Sequence, residues 1–263
     1  MVPRVHPTNQ GTFSMLRVDP NNPKAVVLHQ RLAAAVNFEQ LPETLCVAIG
    51  GDGWMLQCIQ ELGPQFEFLG LNAGHLGFLL NDTENLDPVI NALNHGTWET
   101  HLFPMLELRA ERPSGDVITT IAANDIYVER RSSNTAQLSV TINDLIVVER
   151  MVCDGIIVST GLGSTAYGYS AGGLPCHPLV RAIQVTPICP HAPRLSPVLL
   201  PIDATVIIQS LKSEIRPVAA VADGVECGPV NRISVGRAKQ DLSLAFLSGH
   251  HFTRTLIRKI LRN

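Results

Sequence analysis

Leu45-Cys46-Val47-Ala48-Ile49-Gly50-Gly51-Asp52-Gly53 is an apolar run that stops in three glycines packed around one carboxylate. The run from Leu45 to Ile49 reads as a buried strand. Glycine removes the Cβ and permits positive φ, so a phosphate can come close to the backbone N–H groups of the turn after the strand. A lone acid is out of place in a loop that only binds anions. Asp52 is therefore read as a group that holds a metal or takes a proton from an attacking hydroxyl. After the turn, Trp54 to Ile59 reads as a helix ending at Gly63-Pro64, and Glu67 to Leu71 as the next strand. Strand, glycine turn, helix, strand is a βαβ unit, with the ligand expected at the carboxyl ends of the strands.

Upstream, Phe13 to Val18 is a further strand, and Pro23 to Val36 a helix capped by Asn21 or Asn22. Downstream, a helix from Thr83 to Asn94, capped by Thr83 or Asp82, closes the α/β lobe. From about His101 the pattern changes to short alternating segments: Met105 to Glu111, Val117 to Ala122, Asp125 to Glu129, Leu138 to Ile142, Leu145 to Val152, Gly155 to Ser159, Thr205 to Ser210 and Val218 to Val221. This is an all-β region. Seven prolines between Pro175 and Pro201 rule out a regular helix throughout that stretch. Phe252, Leu256, Ile257, Ile260 and Leu261 return to helical spacing, which predicts an amphipathic closing helix.

With 263 residues, 45% of them hydrophobic, the chain can bury one large core or two smaller ones. The 20 basic and 23 acidic residues leave a net charge of −3 without a long basic run. That composition gives no electrostatic footprint for nucleic acid or an anionic membrane, and points to a small-molecule partner. With no signal peptide and no apolar stretch long enough to span a bilayer, a cytoplasmic protein is expected. The six cysteines show no CxxC pair and read as reduced thiols. Cys176-His177 and Cys189-Pro190-His191 hold zinc-type ligands but match no standard zinc spacing.

Three more pieces suit a phosphate-bearing ligand. Asn72-Ala73-Gly74-His75-Leu76-Gly77-Phe78-Leu79 comes after the third strand, where a second glycine-flexed loop would meet the same molecule. Asn124-Asp125 opens a β segment with an amide beside a carboxylate, suited to a base edge and a ribose diol. Asp154 to Tyr167 ends a strand in glycine, serine and threonine, with an aromatic that can stack on a ribose or base. No GxxxxGK[ST] sequence is present, which excludes a Walker-type site.

In this order and spacing the pieces resemble the ATP-NAD kinase family, over about residues 45 to 225. The match runs from the GGDG turn through GHLGF, Asn124-Asp125, DGIIVST, GSTAY, SAGG (Ser170 to Gly173), Thr186 to His191 and Ala222-Asp223-Gly224. The resemblance implies a Rossmann-like α/β N-terminal domain over residues 1–100 and an all-β sandwich that binds NAD over 101–235. A C-terminal segment, 236–263, would return to the first domain with its helix packed back. It further implies phosphorylation of the adenosine ribose 2′-hydroxyl of NAD to give NADP, with Mg2+ and ATP, or polyphosphate, as donor, by a homodimer or homotetramer.

Position by position, the resemblance makes Asp52 the catalytic aspartate and sets Gly50, Gly51 and Gly53 around the phosphates. His75 and Phe78 fall on the loop beyond the nucleotide, and Asn124 and Asp125 on the adenosine. Asp154 goes to the nicotinamide end, Ser164, Thr165, Ala166, Tyr167 and Ser170 to the nucleoside pocket, and Asp223 to the phosphate region. No side-chain set is assigned to a metal. Arg194 and Arg237 are candidates to assist with phosphate charge, although a solvated surface role is the favoured reading of each. The chain departs from the family in Trp54 for Thr, expected to crowd the phosphates, in Asp125 for Glu, and in Gly161-Leu162 for Pro-Thr.

Other readings compete. The departures motivate a non-catalytic dinucleotide-binding sensor on the same scaffold. The GGDG turn also resembles lipid kinases of the diacylglycerol and sphingosine type, which would lack GSTAY and SAGG. Gly168-Tyr169-Ser170-Ala171-Gly172 fits a GxSxG elbow, with Ser170, Asp223 and His250 in triad order, although Gly173, Pro175 and Pro178 oppose the helix an elbow needs. His250-His251 reads as a surface turn.

Overall fold

A computed structural model describes residues 15–74 and 77–261. Phe13 of the expected first strand and the site candidate His75 lie outside the described residues. In chain order the elements begin β1 (Met15–Val18), α1 (Pro23–Ala33), β2 (Leu45–Gly50), α2 (Asp52–Leu62), β3 (Glu67–Asn72), β4 (Leu80–Asn81), α3 (Asp87–His95) and β5 (Glu99–Phe103). Next come β6 (Leu106–Glu111), β7 (Val117–Ala122), β8 (Asp125–Arg130), β9 (Ala136–Ile142), β10 (Leu145–Cys153), β11 (Gly155–Thr160) and the short α4 (Tyr167–Ser170). The rest are β12 (Ala182–Ile188), β13 (Val198–Pro201), β14 (Val206–Ser210), β15 (Val218–Ala222), β16 (Val225–Val230), β17 (Arg232–Arg237), β18 (Leu242–Phe246) and α5 (Phe252–Leu261).

The first sheet has the order β1-β2-β3-β18-β5, with β4 beside β3. It is parallel from β1 through β18 and antiparallel only at β5. Every residue of β2 is buried, because α1 and α3 cover one face of the sheet and α2 the other. α1 starts where expected: the Asn22 side chain accepts the backbone N–H groups of Lys24 and Ala25, and Pro23 occupies the first turn. It ends at Ala33, short of the expected Val36, since Asn37 already caps a separate 3-10 turn. α3 begins four residues later than its spacing predicts. Thr83 Oγ1 donates to the Asn72 carbonyl and Asp82 accepts the Glu84 N–H, which pins this stretch to the end of β3 and leaves Pro88 to open the helix.

β18 inserts between β3 and β5, so a strand from the end of the chain completes a sheet begun at its start. With β5, the first sheet extends to Phe103.

The second lobe is two six-stranded antiparallel sheets, β10-β9-β14-β17-β6-β7 and β13-β12-β11-β8-β15-β16. Their inner faces share one core that includes Leu108, Val140, Val206 and Val235 from one sheet and Ile126, Val128, Ile156 and Val185 from the other. The proline-rich stretch supplies β12 and β13. Pro187 is tolerated because β13 pairs only with Ala182 to Val185, so no neighbour on that side needs its missing N–H. α5 anchors on the first sheet through Phe252, whose ring lies 5.8 Å from Phe103 and 4.9 Å from Phe246.

Candidate active site

Gly51 caps α2 without a side-chain bond, and Asp52 is the first helical residue. Its carboxylate reaches across to the loop after β3. Oδ1 accepts the N–H groups of Phe78 at 3.0 Å and Leu79 at 3.1 Å, and Oδ2 accepts that of Phe78 at 2.9 Å. A Cβ on Gly77 would sit 3.0 Å from Oδ1, so this approach needs glycine there. Cβ positions on Gly51 and Gly53 meet nothing within 4 Å, leaving the turn open to a ligand.

Gly50 behaves differently. Its Cβ would lie 2.7 Å from Trp54 Cδ1, and the Trp54 indole donates to the Arg17 carbonyl at 3.3 Å. Trp54 is thus packed under the turn, two residues around the helix from Asp52, and does not crowd the open glycines. Gly50 makes room for that indole.

Against the second turn of the same helix, at Leu56, the sandwich offers a cleft of 460 Å³ lined by Leu56, Asn124, Asp125, Tyr127, Glu129, Ala166, Tyr167, Asp223 and Gly224. β8 builds one wall by alternation. Ile126 and Val128 enter the core while Asp125, Tyr127 and Glu129 face the cleft. Asp223, at φ 47° in the turn after β15, accepts the N–H groups of Ala123 (2.6 Å), Asn124 (2.8 Å) and Asp125 (3.1 Å). It therefore fixes the Asn124-Asp125 pair in place. Gly163 completes the wall: its Cβ would fall 2.2 Å from the Asn124 carbonyl.

Burial, and then the neighbouring Asp223 charge, push the Asp125 carboxyl up to about 7, against one N–H from Tyr167. Burial raises Asp223 as well, against its three backbone donors.

Of the residues that the sequence singles out, the cleft gathers Asn124, Asp125, Ala166, Tyr167 and Asp223. Others stand elsewhere. Ser164 is buried and exchanges hydrogen bonds with the Cys176 backbone. Thr165 lies in the turn before α4, and Ser170 is exposed at its end. Asp154 accepts Arg130 Nε at 2.7 Å. Phe78 is buried, with Lys259 Nζ 4.8 Å from its ring centre. Leu162 packs into the first lobe's core beside Ala123 and Phe252, so the Gly161-Leu162 departure is a packing feature. Arg237 is held by Asp241 (3.0 Å) and Asp203 (3.6 Å) on the outer face of the other sheet, away from the turn. Arg194 is exposed.

His250 corrects the surface-turn expectation. Its ring stacks 4.3 Å from Phe246, and burial, with His101 and His251 nearby, pushes it down to about 4. The triad reading fails on the same geometry: no strand leads directly into Ser170, Asp223 is bound by backbone, and His250 sits among phenylalanines.

The cations near Asp52 are ones that helical spacing alone did not single out. A 340 Å³ cleft lined by Asn72, Gly74, Gly77, Thr83, His250 and Arg258 adjoins the Asp52-bound loop, and Lys259 covers Phe78 beside it. Both basic residues lie on the face of α5 that an apolar pattern assigns to solvent. Gln60 was also missed; from α2 it donates to Asp223 Oδ2 at 3.4 Å and to the Ile121 carbonyl, joining the lobes.

An open glycine turn at a helix N-terminus, set against a carboxylate- and tyrosine-lined cleft, defines a two-lobed nucleotide-handling protein. The profile of the ATP-NAD kinase C-terminal domain matches residues 123–245. An NAD kinase of Rhizobium meliloti is 36% identical over 200 residues, 74% of this chain and 75% of its own length. One from Rickettsia felis is 32% identical over 245 residues, 90% of this chain and 94% of its own. Among solved structures, yeast NADH kinase complexed with NADH superposes with a TM-score of 0.73 at 28% identity, covering 83% of this chain and 64% of that one. An NAD kinase from Archaeoglobus fulgidus shares the fold, with a TM-score of 0.74 at 23% identity over 95% of this chain and 98% of that one. The chain belongs to the ATP-NAD kinase family.

Proposed function

We propose that the chain phosphorylates the 2′-hydroxyl of the adenosine ribose of NAD, taking the phosphoryl group from ATP with Mg2+ to give NADP. The observation that carries this reading is one face of α2. Asp52, Leu56 and Gln60 succeed one another at four-residue intervals, so the phosphate turn, the cleft wall and the Asp223 anchor lie on one line about 12 Å long. Leu56 is about 6 Å along the helix from Asp52, so a ribose at the Leu56 end of the cleft lies on the side of the carboxylate.

Asp125 accepts the ribose diol, and Asn124 reads the base edge. Among the described residues Asp52 Oδ2 accepts only the Phe78 N–H, and it keeps capacity to position the attacking hydroxyl and take its proton. The uncapped N–H groups of α2 face the donor phosphates, with Arg258 and Lys259 adding positive charge. The donor set suits Mg2+, which keeps several waters and needs one or two carboxylates beside the substrate's own phosphates; Asp52 is the carboxylate at hand. When bound, the ion neutralises charge on the phosphoryl group in flight. Polyphosphate would use the same groups.

The division into residues 1–100, 101–235 and 236–263 belongs to this reading, as does a cytoplasmic setting for six free cysteines. No helix among the described residues is long and apolar enough to cross a membrane. A homodimer or homotetramer would cover the outer strand β10, which exposes Leu145 and Ile146. Light scattering reads that state directly.

The function is tested by NADP formation from NAD and Mg-ATP, coupled to an NADP-specific dehydrogenase, with Asp52→Asn alongside. Product from the wild type, and at least about a hundredfold less from the variant, is expected. No product from a protein that still binds NAD would overturn catalysis and favour the sensor.

A further inference from the structure

The far end of the β8 row has no part in the phosphoryl transfer. Successive cleft-facing residues on a strand stand about 7 Å apart, so Glu129 lies about 13 Å beyond Asp125, with Tyr127 between them. Tyr127 and Tyr167 meet edge to face, ring centres 5.0 Å apart at 74°. Glu129 lines the same cleft and is half-buried. The two arginines next in the chain are engaged elsewhere: Arg130 with Asp154 at 2.7 Å and Arg131 with Glu226 at 3.3 Å. Among the described residues Glu129 forms no salt bridge. After burial, its charge is the largest influence on both tyrosine hydroxyls, and Tyr127 is pushed up to about 12.

An unpaired carboxylate beside electron-rich rings attracts a cation and repels an anion. In a nicotinamide dinucleotide the pyrophosphate is anionic and the adenine neutral; the one cationic group is the oxidised nicotinamide ring. Reduction to dihydronicotinamide removes that charge. Resting on the NAD kinase reading, we propose that Glu129, with Tyr127 and Tyr167, holds the oxidised nicotinamide ring and makes this chain select NAD over NADH. The family contains kinases named for either form, so the choice must be set by side chains of this kind rather than by the shared fold.

Selection of this type acts on binding and can be read without turnover. Dissociation constants for NAD and NADH are measured by calorimetry on the wild type and on Glu129→Gln, with NADP formation followed in parallel. The wild type is expected to bind NAD about fivefold or more tightly than NADH, the scale of one partly exposed charge interaction with a cation–π contact. Glu129→Gln should bring the two within about twofold, and added salt should narrow the wild-type ratio. Equal affinities in the wild type, or a preference that survives Glu129→Gln, would overturn the assignment while leaving the kinase standing if NADP forms. A protein that neither binds nor phosphorylates either dinucleotide would remove the kinase reading and this one with it.

Discussion

In the proposed reaction Asp52 has two jobs, a structural one and a catalytic one, that substitution can separate. Asparagine keeps an oxygen for the Phe78 and Leu79 N–H groups but cannot take a proton, so Asp52→Asn should lose turnover while melting close to the wild type. Asp52→Ala leaves two part-buried donors without an acceptor. Chemical denaturation should show it less stable by about 1–3 kcal/mol, a loss that Asp52→Asn does not share. Asp125 gives a different signature. Its carboxyl is raised in the folded state from 3.8 to about 7, so its contribution to stability is present at acid pH and fades as pH climbs through that window. Asp125→Asn should therefore melt higher than the wild type above pH 7 and lose that advantage near pH 4, in thermal melts across the range. A ribose diol favours the ionised form, so NAD binding near neutrality should release protons. Calorimetry in buffers of differing ionisation enthalpy would detect them; no buffer dependence would count against the raised carboxyl.

Among the elements, β2 and its turn were legible because both faces of that strand are covered, so its whole sequence is apolar, and the glycines beyond it mark a backbone left open. β8 was half legible. Asn124-Asp125 stood out as a polar pair, but Tyr127 and Glu129 acquire meaning only once their face is known to border the cleft. The α5 cations were obscured for a similar reason: an amphipathic pattern specifies the buried side and leaves the polar side to solvent by default. β18 left no local trace, since its partners β3 and β5 lie more than a hundred residues earlier. Gly163 shows how one loop positions another element. Gly163→Ala would force a Cβ to within 2.2 Å of the Asn124 carbonyl, a backbone atom that cannot rotate away. The expected cost is about 1–3 kcal/mol, with weaker NAD binding as the start of β8 shifts; a denaturation midpoint and an NAD titration check both.

At the scale of the molecule, Gln60 ties the two lobes together by hydrogen bonds from α2. Gln60→Ala removes donors to Asp223 and to the Ile121 carbonyl while α2 itself keeps its turns. A stability loss of about 1 kcal/mol is expected, with a higher KM for NAD and a smaller change in kcat, because α2 would lose its hydrogen-bonded tie to the Asp223 side of the cleft. Steady-state kinetics and a melting curve on the same preparation test this. An unchanged KM would mean that the lobes are aligned by the shared core alone.

The placement of β18 orders events during synthesis. The ribosome delivers the glycine turn and β3 early, yet the sheet that supports them lacks an interior strand until Leu242–Phe246 has emerged. The sandwich strands, β6 through β17, are all made before that point. A domain generally folds once its own segments are available, so the lobe that opens the chain is the last to close, and the cleft, which takes Leu56 as part of its wall, is completed only with it.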